Sequence, residues 1–195
     1  MPTRSGDVEL LGRRALLDVI DQQLVDGRSI LLVGPAGIGK SALIRALATP
    51  GVMVVDPFEG ISAQRAASIR RSLDRGAVWI GAARTLDRAR MGEVGRIAWR
   101  LTTVRVSPLS DTWMRRLIIH ACSVTGIRID LVTPEWRCAL LRLARGRPGP
   151  ALAIIEHAAR MRHSGRPLPF PATAYLEAAL AAAGGPTSHK PEHDR

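Results

Sequence analysis

The spacing of apolar residues changes repeatedly along the 195-residue chain, and each change marks an element. Residues 9–26 set Leu16, Val19, Ile20 and Leu24 at helical spacing, and Gly27 closes that helix. Ile30–Val33 is a short, wholly apolar run, the pattern of a buried strand. It leads through a glycine-rich turn into a helix-forming run that ends near Ala48, before Thr49-Pro50-Gly51. Gly51–Val55 reads as a second buried strand that stops at Asp56-Pro57. Residues 62–75 form a helix with Ala66, Ile69 and Leu73 inward and Arg70, Arg71 and Arg75 outside. Ala77–Ala82 is a third strand, residues 86–100 are a charged connection, and Thr103–Val106 is a fourth strand closed by Ser107-Pro108. Strands alternating with helices predict an α/β fold. Its short, mostly parallel sheet has about four strands and helices on both faces.

Beyond Pro108 the period is helical. Helices are expected at about 111–124, 134–145, 150–163 and 172–182, with start signals at Ser110-Asp111 and Thr133-Pro134. Trp136, Leu140 and Leu143, and then Leu152, Ile155 and Ala159, form inward stripes. The expected organisation is a core at 9–108, a small helical lid at 109–182 and a disordered tail at 183–195. No internal repeat is visible.

Composition narrows the setting. No run approaches the ~20 apolar residues of a membrane span. The first residues, MPTRSGDVEL, lack a signal peptide's apolar block, so a cytoplasmic protein is expected. Cys122 and Cys138 have neither metal nor CxxC spacing and read as reduced, buried fillers. The formal charge is +11, and of 28 basic residues only Lys40 and Lys190 are lysine. The arginine bias alone has a plain compositional cause. The net charge would attract DNA or an acidic partner protein. The few aromatics are not interleaved with arginine in a pattern that suggests single-strand stacking.

The turn carries the most specific chemistry. Gly34-Pro35-Ala36-Gly37-Ile38-Gly39-Lys40-Ser41 fits GxxxxGK[ST] in full, between a strand and a helix, with Ala42 next inside that helix. Its glycines let the backbone wrap a polyphosphate with N–H groups inward, and the helix start adds unpaired N–H groups and a positive dipole end. Lys40 can reach the outer phosphates, and the Ser41 hydroxyl can ligate Mg²⁺. Four apolar residues and then Asp56 follow the Walker B pattern, whose carboxylate steadies the Mg²⁺ shell. ATP and Mg²⁺ are the expected cofactors, and a P-loop NTPase is the expected fold.

The order of these pieces resembles AAA+ and STAND-type ATPases, including origin-recognition-like domains. Leu11-Gly12-Arg13-Arg14 is similar to their opening hhGR segment, GPAGIGKS to Walker A, VMVVD to Walker B and VWIGAAR to the sensor-1 strand. TVRVSPLS is similar to their last strand and "PLS" junction, and TPEWRCALLRLARGRPGPAL to the GxP helix pair of their lids. The resemblance covers residues 10 to about 182. It implies ATP between sheet edge and lid, with Gly12 and Arg13 on the adenine side and Lys40, Ser41 and Asp56 managing phosphates and Mg²⁺. It implies a sensor role for Arg84. Arg96 or Arg100 would then reach the γ-phosphate of a neighbouring copy in a nucleotide-dependent homo-oligomer.

The chain departs from that pattern in three places. Only one helix and a turn fit between Ser41 and Asp56, so the core is trimmed to four strands. Pro57 stands where the family has an acidic base, leaving Glu59 as substitute. Gly146-Arg-Pro-Gly-Pro150 has glycine about where a sensor-2 arginine is expected. These departures favour binding over fast hydrolysis. Three functions are open: an ATPase acting as a switch or remodelling factor, DNA-associated in transposition, replication or plasmid maintenance; a small-molecule P-loop kinase; or a nucleotide-binding regulator without hydrolysis. Plain readings stand beside the site roles. Arg84, Arg96 and Arg100 also fit surface charge, Asp111 a helix cap, His120 and His157 structural or surface positions, and Trp113 and Trp136 lid core.

Overall fold

The computed structural model describes residues 10–87, 91 and 95–183. In chain order the elements are α1 (Arg14–Val25), β1 (Ile30–Val33), α2 (Lys40–Leu47), β2 (Val52–Val55), α3 (Ala63–Asp74) and β3 (Val78–Ala83). Then come the short α4 (Gly95–Ala98), β4 (Thr102–Arg105), α5 (Asp111–Val124), a 3₁₀ turn at Ile129–Leu131, α6 (Pro134–Ala144), α7 (Pro148–His163) and α8 (Pro171–Ala183). The expected tail lies outside the described residues except for Ala183, which ends α8.

The four strands form one parallel sheet in the order β2-β3-β1-β4. This is the P-loop NTPase topology, with β3 lying between the strand that feeds the glycine turn and the strand that ends at Asp56. Side chains alternate across the sheet, so each strand feeds two cores. Ile30, Leu32 and Ile80 join Ile20, Leu24, Leu43 and Leu47 under α1 and α2. Leu31, Val33 and Val55 join Phe58, Ala66, Ile69, Ile97 and Leu101 under α3 and α4. Burial on both faces explains why β1 is apolar at all four positions.

The edges differ. β4 exposes Thr103 and Arg105, whereas β2 exposes Met53 and Val54 at 46% and 40%. The stretch from Ser41 to Asp56 supplies one helix and no further strand to cover β2.

The later helices share a third core, built from Met114, Leu117, Ile118, Trp136, Leu140, Ile154 and Ile155 among others. α7 packs against α5, α6 and α8. Thr133 caps α6 by accepting from the Trp136 N–H at 3.2 Å, whereas Ser110, which has the same look in sequence, makes no side-chain cap bond. Two expectations are corrected here. Val19 is 52% exposed, and Leu16 and Leu17 turn inward with Ile20 and Leu24. Cys138 is exposed, while Cys122 is buried and its thiol is pushed up to about 11 by burial. His157 holds the structural position expected of it, its Nε2 pairing with Glu177 Oε2 at 2.7 Å between α7 and α8.

Candidate functional site

The glycine turn sits where β1 ends at the carboxyl edge of the sheet. Gly37 and Gly39 have φ of +74° and +102°, in the left-handed region where a side chain is strained. Gly34 donates its N–H to the Ala83 carbonyl at 3.2 Å, and a Cβ on Gly34 would come within 3.0 Å of the Val106 carbonyl oxygen. The turn is therefore held between β3 and the end of β4. α2 begins directly behind it at Lys40, with Gly39 as N-cap. Pro35, Ala36 and Gly37 are exposed on the turn, while Ile38 is buried beneath it as an anchor.

Lys40 folds back along the turn, its Nζ donating to the Gly34 carbonyl at 2.6 Å and the Pro35 carbonyl at 3.0 Å. Burial lowers its pKa from the ordinary value, the carboxylates of Glu59 and Asp56 oppose that, and Arg84 reinforces it. Lys40, Asp56, Glu59 and Arg84 thus lie within electrostatic reach of one another at one corner. Phe58 fixes the corner from below. Its ring is fully buried, its N–H donates to the Ala82 carbonyl at 2.7 Å, and a Cβ on Gly81 would meet its ring at 2.9 Å. The Glu59 carboxylate accepts from the backbone N–H of Arg84, which ties the turn after β2 to the end of β3. A cleft of about 460 Å³ opens at this edge, lined by Gly34, Pro35, Arg84, Thr85, Arg105 and Ser107.

The helical layer closes the other side of the turn. The Gly149 N–H donates to the Gly37 carbonyl at 2.8 Å. A Cβ on Gly149 would lie 2.7 Å from Gly37 Cα, and one on Gly37 would lie 2.7 Å from Pro150 Cδ. The preceding turn is anchored to the "PLS" junction by the Leu109 N–H, which donates to the Gly146 carbonyl at 2.8 Å. Arg145 and Gly146 both adopt positive φ there. A second cleft of about 200 Å³ runs between α2 and the start of α7, bounded by Lys40, Ser41, Ala42, Arg45, Pro148 and Leu152.

The N-terminal segment completes the surround. The Arg13 guanidinium is buried and donates to the Ile38 carbonyl at 3.2 Å, and burial lowers its pKa. Gly12 lies under Trp113, where a Cβ would come within 2.6 Å of the ring. Arg116 stacks over the same indole at 4.9 Å. Arg13 therefore braces the turn from behind, and Trp113 stands over the segment expected to face the base. Nothing in the sequence singles out that Trp113–Gly12 contact, nor Gly149 as the residue pressed on the turn.

Arg96 and Arg100 lie elsewhere. Arg100 pairs with Asp74 at 2.6 Å and sits with Gly27, Ser29 and Thr102 at the starting edge of the sheet. Arg96 lies along α3 with Ala66 and Arg70. Neither is at this chain's own Lys40 corner.

The arrangement fits a polyphosphate on three counts. Left-handed glycines shape the turn, a part-buried ammonium lies along it, and the carboxylates of Glu59 and Asp56 act on that ammonium while Ser41 follows it at the helix start. A Mg²⁺ ion would fall to Ser41 and Asp56 and would neutralise phosphate charge. Among the described residues no helix is long and apolar enough to cross a membrane.

The fold and this corner together define the architecture of a P-loop NTPase. No protein-family model matches the chain. Solved structures of Thermotoga maritima RuvB are similar to it. The RuvB Holliday junction branch migration motor is 13% identical with a TM-score of 0.52, over 91% of this chain and 69% of that one. One single-substitution variant of RuvB is 11% identical with a TM-score of 0.53, over 87% of this chain and 67% of that one. Another is 13% identical, with the same TM-score and the same coverage. At these identities the likeness is one of fold.

Proposed function

We propose that this chain is an ATP-binding, AAA+-type switch or remodelling ATPase. The observation that carries the reading is the corner where Lys40, Asp56, Glu59 and Arg84 meet the glycine turn, with the helical layer hydrogen-bonded to the turn's far side. Triphosphate would occupy the turn, with Gly34–Ala42 supplying backbone donors and Lys40 the charge. Ser41 and Asp56 would hold Mg²⁺. Arg84 would report on the outer phosphate, and Glu59, tied to the Arg84 backbone, would orient the attacking water. Gly12 and Arg13 would flank the base. Residues 9–108 act as the nucleotide core and 109–182 as the lid. Because Gly149 touches Gly37, a phosphate that shifts the turn shifts the lid, which gives a partner something to read. Arg96 or Arg100 would serve a neighbouring copy in a nucleotide-dependent oligomer. The origin-recognition and STAND side of the class is favoured by Leu11–Arg14 and by Gly146-Arg147-Pro148.

The net charge of +11 suits DNA as the substrate of that switch. RuvB, whose fold is similar, is a Holliday junction branch migration motor. A second reading, a nucleotide-binding regulator without hydrolysis, is favoured by Pro57 after Asp56 and by the short four-stranded core. Phosphate release from the wild type, Lys40→Ala and Glu59→Ala, with and without DNA, separates the two. The ATPase reading expects turnover in the wild type and its loss in both variants. Equal background release from all three supports the silent module.

A further inference from the structure

The most exposed large apolar side chain among the described residues is Trp99, at 79%. It follows α4 on the connection into β4, between Arg96 and Arg100 in the run Arg96-Ile97-Ala98-Trp99-Arg100. The neighbours of those two arginines show what surrounds it. Arg96 borders a groove of about 180 Å³ floored by Ala63, Ala66 and Ala67 of α3 and walled by Arg70. Arg100 borders a second groove, of about 250 Å³, with Arg28 and Gly76 at the starting edge of the sheet. Trp99 therefore falls within the ridge Arg96-Trp99-Arg100, whose two arginines each border a groove edged by a second guanidinium group. Asp74, a carboxylate on this face, is engaged by Arg100 at 2.6 Å. Ile97, next to the ridge, is buried and pins it to the core under α3.

An indole held in water on a rigid connection is costly to leave uncovered and presents a flat face. Its described neighbours along the chain and in the two grooves are mainly arginines and small residues, which supply charge for an anion and leave the indole face open. Flanking guanidinium groups with a central aromatic platform match a chain that alternates anionic phosphates with flat bases. We propose that the ridge Arg96-Trp99-Arg100, with Arg70 and Arg28 beside it, binds single-stranded nucleic acid. A base stacks on Trp99 and the flanking phosphates lie along the two grooves. This deepens the nucleic-acid part of the function proposed above and rests on it; it stands in place of the role toward a neighbouring copy proposed for Arg96 or Arg100, because a guanidinium on a nucleic-acid phosphate is not on a neighbour's γ-phosphate. The Arg100 groove is at the starting edge of the sheet, whereas the glycine turn is at its carboxyl edge, about 13 Å away by the length of a four-residue strand.

The test is fluorescence anisotropy of a labelled single-stranded oligonucleotide against the full chain, across a range of salt and without ATP. Trp99→Ala should weaken binding about tenfold with an unchanged salt slope, and Trp99→Phe should restore most of it. Arg70→Glu should reduce the salt slope. ATP affinity, measured in parallel, should be the same in all of these proteins, so loss of ATP binding in the wild type overturns the nucleotide proposal and leaves this one standing. The ridge proposal fails if Trp99→Ala binds like the wild type, or if the strand does not bind at low salt. It also fails if a duplex of the same length competes equally, or if polyglutamate binds more tightly than the strand.

Discussion

The two sides of the glycine turn are built from different materials. On the sheet side it faces charged side chains, Lys40, Asp56, Glu59 and Arg84, set on a corner that Phe58 anchors from below. On the helical side it faces backbone and a proline ring, with Gly149 hydrogen-bonded to Gly37 at 2.8 Å and no room for a Cβ between them. Charge on one side suits chemistry on phosphate and metal. Backbone contact on the other suits transmission of position, because a direct hydrogen bond with no intervening side chain has little slack. On the proposed reading, this contact would let the helical layer follow the turn without the expected arginine.

The largest expected effect lies on the charged side. Lys40→Ala should lower ATP affinity about a hundredfold, seen by titration calorimetry with an unchanged circular dichroism spectrum. On the backbone side, Gly149→Ala should cost about 1–3 kcal/mol of stability through overpacking, seen as a lower denaturant midpoint. Gly95→Ala is the control, since its added Cβ would meet Met91 at an ordinary 3.7 Å. Equal midpoints for the two variants would break the comparison. Asp56→Asn should remove about tenfold of the affinity gained by adding Mg²⁺, with little change in EDTA. A Mg²⁺ effect that survives would mean that Asp56 does not face the metal.

A smaller effect is expected from pH. Burial lowers the Lys40 pKa from 10.5, so its ammonium is lost at lower pH than in a free lysine. Bound phosphate favours the charged form, so ATP binding should take up protons as pH enters that window. Affinity should begin to fall before pH 10.5 is reached. An affinity that stays flat through that value would contradict a Lys40–phosphate contact. The smallest effect is in thiol labelling. Cys138 should react at pH 8 while Cys122, buried with a pKa of about 11, should stay unlabelled until the helical core opens.

The turn itself is readable in sequence because its geometry demands particular residues in succession: left-handed glycines, a lysine and a hydroxyl at a helix start. β1 is readable because burial on both faces makes it apolar without a break, whereas the edge strands β2 and β4 each leave two residues exposed. What sequence conceals is tertiary proximity. Gly149 looks like any glycine in a Gly/Pro-rich loop until Gly37 is found against it. Ser110 and Thr133 look like equivalent caps and share nearly the same backbone angles, yet only Thr133 bonds the helix start through its side chain. Val19 shares the spacing of Ile20 and Leu24 but points outward, since a period fixes the stripe only to within one residue. Trp99 does not stand out in sequence among scattered aromatics. Its importance appears only with its exposure and with the two grooves that Arg96 and Arg100 border.

A triphosphate nested in the turn should be felt by the lid through the backbone. Amide chemical-shift mapping on addition of ATP and Mg²⁺ tests this most directly. The largest shifts should fall on the amides of Gly37–Ala42, with a coupled shift at Gly149 that disappears in Lys40→Ala. Shifts confined to other parts of the sheet, or a Gly149 amide that stays still while the turn responds, would contradict it.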